Sequence, residues 1–263
     1  MTDIPIGILD SGFGGLSVWR AVRRELPFES TVFAADCAGA PWGDRSDEYI
    51  LERLAKLVDF LLSRRIKALV LACNTATAVG AAKLRAELSL PIVGIEPAVL
   101  PGCRETKTNI IGVLATTKTI ASAKYRHLKE QAPGHVQVLD AACPGLMDCV
   151  EKGAFADPDT FALAERYVAP LVLAGADQLV LGCTHYPFLS EALQRAAGPE
   201  VSLIDPAPAV ARQLRRRLAS IDALAPETNS PRFDFFVTGA TPEREAVLQR
   251  LAMPEAHLDS LDF

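Results

Sequence analysis

The chain has 263 residues, enough for one large α/β domain or for two domains of about 100–150 residues that each bury a core. With 49% hydrophobic and 22% charged residues, the composition excludes disorder and collagen-like structure. Its 27 basic and 32 acidic residues leave a formal charge of −5. With no basic run, that argues against a general nucleic-acid surface, because neutralising phosphates takes clustered Lys and Arg; Arg215, Arg216 and Arg217 read as a solvated helix face.

Taken in chain order, the start Met1-Thr2-Asp3 lacks a basic segment, and the first apolar run ends at Leu9. No later run approaches the roughly 18 apolar residues of a membrane helix, so the expectation is a cytoplasmic protein without a membrane partner. Strands rich in Ile, Val and Leu are expected at 6–10, 31–35, 68–72 and 92–95, and again at 110–115, 135–140, 178–182 and 201–204. Helices lie between them. One runs from Asp47 to Arg64, with Ile50, Leu54, Leu57, Val58 and Leu61 on one face, Ser46 as cap, and Asp47 and Glu48 at the positive end of the dipole. Pro97 and Pro101 mark a crossing, and Pro206 and Pro208 a hinge. The tail has a loop over 225–231, a strand over 233–237 and a helix over 241–251.

The chain is also written twice. Ile6-Gly7-Ile8-Leu9 returns as Ile111-Gly112-Val113-Leu114, Leu69-Val70-Leu71-Ala72-Cys73 as Leu179-Val180-Leu181-Gly182-Cys183, and Ile95-Glu96-Pro97-Ala98 as Ile204-Asp205-Pro206-Ala207. Three matches in one order at nearly constant offset predict two pseudo-symmetric α/β domains, each a mainly parallel sheet flanked by helices, with the site in the cleft between them. The expected division is 1–97 with 208–263 for the first domain and 98–207 for the second. The alternative is one nine-stranded sheet whose halves match by chance.

Six cysteines stand at 37, 73, 103, 143, 149 and 183, with no C-x-x-C and no paired metal-ligand spacing. A disulfide framework is not expected at this size and in that compartment. Cys37, Cys103, Cys143 and Cys149 read as small buried apolar residues. Cys73 and Cys183 recur at matching strand ends, where helix N-termini can favour a thiolate. Two like groups facing one ligand suit inversion at carbon, in which one removes a proton from one face and the other delivers a proton to the opposite face. The turn Asp10 to Val18 is a Gly-rich cradle for an anion at Gly12, Gly14 and Gly15, but it is not G-x-G-x-x-G, so a dinucleotide is poorly supported. Asp10 aligns with Ala115 and His185 with Thr75, so the helpers of the two thiols differ. Cys183 and His185 could also begin a metal site or a Cys–His hydrolase, but the first lacks further ligands and the second leaves Cys73 idle.

In DSGFGG (10–15), ACNTAT (72–77), GVLAT (112–116) and GCTHYPFL (182–189), the sequence resembles the glutamate racemases of the cofactor-independent aspartate/glutamate racemase superfamily from about residue 5 to 250. The resemblance implies no cofactor and no metal, glutamate as small-molecule substrate, and D-glutamate made for peptidoglycan. It implies catalytic bases Cys73 and Cys183, acting on D- and L-glutamate respectively, assisted by Asp10 and His185. Implied substrate contacts are Asp10, Ser11, Trp42, Gly43, Asn74, Thr75, Thr116, Thr184 and His185, with Asp36 and Glu151 as supporting carboxylates. The family usually reads Pro-Tyr-Gly where this chain has Pro41-Trp42-Gly43, so an indole stands in place of a phenol. A homodimer is implied as well. Racemisation of aspartate or a hydantoin, and the DNA gyrase binding of some relatives, are the alternatives.

Overall fold

The computed structural model describes residues 4–263; Met1–Asp3, whose lack of basic charge is noted above, lie outside the described residues. The first half runs β1 (Ile6–Asp10), α1 (Leu16–Glu25), β2 (Thr31–Ala35), α2 (Asp47–Ser63), β3 (Ala68–Leu71), α3 (Asn74–Glu87) and β4 (Ile92–Gly94). After α4 (Val99–Glu105), the second half runs β5 (Ile110–Ala115), α5 (Thr117–Ala121), α6 (Ala123–Glu130), β6 (Gln137–Ala142), α7 (Leu146–Glu151), α8 (Pro158–Leu173), β7 (Gln178–Gly182), α9 (Ser190–Ala197) and β8 (Ser202–Ile204). The chain closes with α10 (Ala207–Ala219), β9 (Phe233–Val237), α11 (Pro242–Leu251) and β10 (Leu258–Ser260). Short 3-10 turns occupy Phe13–Gly15, Trp42–Asp44 and Tyr186–Leu189.

Two sheets form, ordered β10-β9-β2-β1-β3-β4 and β6-β5-β7-β8, with every pair parallel. The core of the first, β2-β1-β3-β4, has the same order as the whole of the second, so the internal repeat is architectural and the single nine-stranded sheet is not what forms. The tail strands β9 and β10 extend the first sheet beside β2.

Strands β1, β2, β3 and β7 are buried along their whole length, the reason they read as unbroken apolar runs rather than alternating ones. In α2 the five apolar residues of the expected face are buried, each worth roughly 1.5–3 kcal/mol of transfer free energy. The Ser46 side chain accepts the Tyr49 N–H at 3.2 Å as its cap. Trp19 anchors α1 on the tail strand, edge-on to Phe233 and Phe235 at 5.6 and 5.1 Å, with its indole N–H donated to Thr31 Oγ1 at 2.9 Å.

The sixth strand starts at Gln137 rather than 135, because a turn closed by Val136 N–H on Pro133 O holds the preceding residues. Strand β10, too short and polar to stand out by period, was not expected. No helix among the described residues is long and apolar enough to cross a membrane.

Candidate active site

In both sheets the strand order reverses between the first and third strands of the half, β1/β3 and β5/β7, and this is where ligands settle beyond the carboxyl ends of parallel strands. Asp10 ends β1 and Cys73 follows β3 by two residues; Cys183 follows β7 directly, beside the Ala115-Thr116 end of β5. The repeat thus carries both thiols to equivalent points. Both are buried, at 5% and 6% exposure.

Cys73 is the N-cap of α3, and its sulfur accepts the Ala76 N–H at 3.4 Å. Ser11 Oγ lies 3.6 Å from that sulfur and 3.4 Å from Asp10 Oδ1, which makes Ser11 the link between carboxyl and thiol. Asp10 also accepts the Ser11 N–H at 2.7 Å and the Thr184 hydroxyl at 3.0 Å. Burial raises the Asp10 carboxyl, against the pull of His185 and of these bonds. Burial, and after it the Asp10 charge, push the Cys73 thiol far up, so Cys73 is held as a protonated thiol.

Cys183 has the opposite surroundings. Its sulfur is 3.5 Å from His185 Nδ1, while His185 Nε2 lies 2.8 Å from Glu151 Oε1. Burial alone would lower the imidazole's hold on its proton, but Cys183 and then Glu151 outweigh it, and His185 stays protonated well above the usual histidine range. Both ring nitrogens face acceptors, the pattern an imidazolium satisfies. The Gly14 N–H also points at Nε2 from 3.2 Å, a bond open only to a ring neutral at that nitrogen. The carboxylate decides between them.

The Gly-rich turn cradles a carboxylate, as its sequence suggests, but the occupant is Glu151 of the other half. Phe13 N–H donates to Glu151 Oε1 at 2.6 Å. A Cβ on Gly12 would strike that carboxylate, and one on Gly14 would strike the His185 ring and come within 2.6 Å of Thr184 Oγ1. These glycines are what let the two halves close on each other at this point. Gly145, at φ +87, turns the chain into α7, which ends on Glu151.

Asn74 and Thr75 open α3 beside Cys73. Thr75 Oγ1 meets Thr116 Oγ1 across the halves at 3.3 Å, and Thr116 caps α5 by accepting the Thr119 N–H at 3.2 Å. Both polar side-chain atoms of Asn74 are buried without a hydrogen-bond partner among the described residues. Trp42 and Gly43 lie in a 3-10 turn, where a Cβ on Gly43 would sit 3.1 Å from Thr116 Cβ. Asp36 meets Trp42, Arg53 and Thr238 rather than a thiol.

The expected helix start at Cys183 is in fact the 3-10 turn Tyr186–Leu189 with Pro187 inside it, so the imidazole, not a helix N-terminus, is the positive partner there. Cys37, Cys103 and Cys143 pack into the hydrophobic clusters, with Cys149 partly buried against one of them. Burial raises the thiols of Cys37 and Cys103, and that of Cys143 to about 12. The reading of the sequence missed Ser17, whose hydroxyl lies 2.9 Å from both Gly14 O and Thr184 O and ties the two halves behind the site. Its only local signal is a hydroxyl one turn after the glycines.

A family model described as Asp/Glu/Hydantoin racemase matches residues 17–214. The glutamate racemase of Ectopseudomonas mendocina is 46% identical over 255 residues, 97% of each chain. Among solved structures, the glutamate racemase isoform RacE1 of Bacillus anthracis superposes with a TM-score of 0.89 at 34% identity, covering 100% of this chain and 99% of that one. The Francisella tularensis glutamate racemase in complex with D-glutamate does so with a TM-score of 0.86 at 26% identity, covering 100% and 98%.

Proposed function

The chain belongs to the Asp/Glu/hydantoin racemase family, and on that premise we propose that it interconverts L- and D-glutamate by moving the α-proton between two thiols. The observation that carries this reading is the placement of two buried cysteines at equivalent strand ends with unlike partners, an imidazolium beside one and a carboxyl beside the other. It suits a scheme in which Cys183 takes the α-proton of L-glutamate and Cys73 supplies a proton to the other face.

With L-glutamate bound, the Cys183 sulfur takes the α-proton: an S–H bond forms, the C–H bond breaks, and its electron pair spreads into the substrate carboxylate. Cys73 gives its proton to the opposite face of the planar carbon, which yields D-glutamate, a Cys73 thiolate and a Cys183 thiol. The reverse reaction exchanges the roles. Ser11 links Asp10 to Cys73, and Glu151 secures the proton on His185. The unpaired amide of Asn74 and the hydroxyls of Ser11, Thr75, Thr116 and Thr184 are the groups to hold the carboxylates and ammonium, with the backbone of Gly43 and the indole of Trp42 as a wall.

The two sheets support dividing the chain into residues 1–97 with 208–263 and residues 98–207. A cytoplasmic homodimer making D-glutamate for peptidoglycan completes the reading; mass by light scattering tests the dimer. The deciding experiment incubates the metal-free protein with L-glutamate, or with L-aspartate, in D₂O without added cofactor, and follows optical activity and α-deuterium. Loss of rotation with deuterium uptake from glutamate is expected. No exchange with glutamate would overturn the reading.

A further inference from the structure

We infer that Arg53 is a positioning residue for the substrate wall at Trp42–Gly43, acting through Asp36. This rests on the racemase reading and assigns Asp36 a role other than assisting a thiol. Asp36 ends just beyond β2, fully buried, and each of its oxygens is taken twice. Oδ2 accepts the Trp42 indole N–H at 3.0 Å and Arg53 Nε at 2.7 Å; Oδ1 accepts the Thr238 hydroxyl at 2.7 Å and the second arm of the Arg53 guanidinium. No lone pair remains in line with a substrate or a sulfur.

The guanidinium neutralises this carboxylate, and its planar fork fixes the plane in which the indole must lie. Its outer face is held in turn by the Phe263 ring, 4.6 Å from the Arg53 Cζ. Trp42 is 1% exposed and begins the 3-10 turn whose Gly43 abuts Thr116 of the other half. Close by, Lys118 of α5 pairs with Asp47 of α2 at 2.6 Å. A tilt of the indole therefore moves Gly43 against the second half, where substrate would be gripped, and leaves the Asp10–Cys73 and His185–Cys183 pairs alone.

The donor to Asp36 is the indole N–H of Trp42, so the carboxylate and the guanidinium behind it set the orientation of this indole.

The test uses Arg53→Lys, which keeps the charge but cannot engage both oxygens, together with Trp42→Phe, which keeps a ring but not the donor, and the double variant. Losing one bond of ~1 kcal/mol is expected to raise KM for both enantiomers about fivefold with kcat within about twofold of wild type. The double variant should be no worse than the poorer single. The tryptophan emission of Arg53→Lys should also shift from that of wild type, a shift absent when Trp42→Phe is compared with the double variant. An unchanged KM and emission, or a fall in melting temperature alone, would overturn the inference. So would a fall in kcat with a displaced pH profile, which would return Asp36 to proton transfer. If the wild type does not interconvert the glutamates, the racemase reading fails, while the emission of Arg53→Lys still decides whether Arg53 sets the indole.

Discussion

Glu151→Gln separates the two halves of the proposed chemistry. Glutamine keeps the shape and can still accept the Phe13 N–H, but removes the charge 2.8 Å from His185 Nε2. A hydrogen bond to a charged group is worth about 1.5–3 kcal/mol and a neutral one about 0.5–1.5, so the imidazolium loses ~1–2 kcal/mol of support, or about 5–30-fold. With the proton on His185 less secure, the Cys183 thiolate is less stabilised, so the form that takes a proton from L-glutamate is depopulated in favour of the thiol form that D-glutamate needs. Turnover from L-glutamate, where Cys183 accepts, should fall by about 5–30-fold, and turnover from D-glutamate by less. Enantiomers are equal in free energy, so kcat/KM must stay equal in the two directions, and the asymmetry has to appear in kcat and KM separately. Circular dichroism of each pure enantiomer over time measures both. The pH at which the imidazolium titrates should move down toward the ordinary histidine range. A kcat from L-glutamate within twofold of wild type, or a larger loss from D-glutamate, would refute the role given to Glu151.

Cys73→Ala and Cys183→Ala should each abolish net racemisation while far-ultraviolet dichroism stays native; interconversion at the wild-type rate by either would remove the two-thiol scheme. Gly14→Ala presses a methyl group on the His185 ring and within 2.6 Å of Thr184 Oγ1, and overpacking of this kind costs about 1–3 kcal/mol. Its kcat should fall about tenfold or more in a protein that still melts cooperatively, and wild-type turnover would show that the close approach of the halves is dispensable. Because the folded-state pKa of His185 is raised, its contribution to stability is complete below the unfolded value of about 6.5 and is lost as pH rises through the folded value. The wild-type denaturant midpoint should fall across that window more than the midpoint of His185→Asn, and parallel curves would contradict the shift.

The strands and their repeat were legible because a buried parallel strand needs an uninterrupted apolar run, and three segments holding such runs recurred in one order. Seven of the eight lie within a residue of their expected bounds; β6 starts late because a turn holds its first positions. The two cysteines stood out for the same local reason, since the end of a strand in a repeated unit is a fixed place in the sheet. The repeat singled out Asp10 and His185 as unlike helpers, and the resemblance matched each to a thiol and added Asp36 and Glu151, without the contacts the last two make.

Period and spacing record how one segment meets its own sheet. They carry no information on how two sheets dock. That Glu151 fills the Gly-rich turn 138 residues earlier, that Ser17 binds across to Thr184, and that Asp36 spends all its lone pairs on Trp42, Arg53 and Thr238 depend on which side chains the folded halves press together. The repeats in the chain carry two α/β halves, a matched pair of thiols and unlike helpers for them. Folding added which groups meet between the halves, such as the Thr184 hydroxyl on Asp10 and the Gly14 N–H on His185, because hydrogen bonds and charge act over a few ångströms, a distance that position along the chain does not encode.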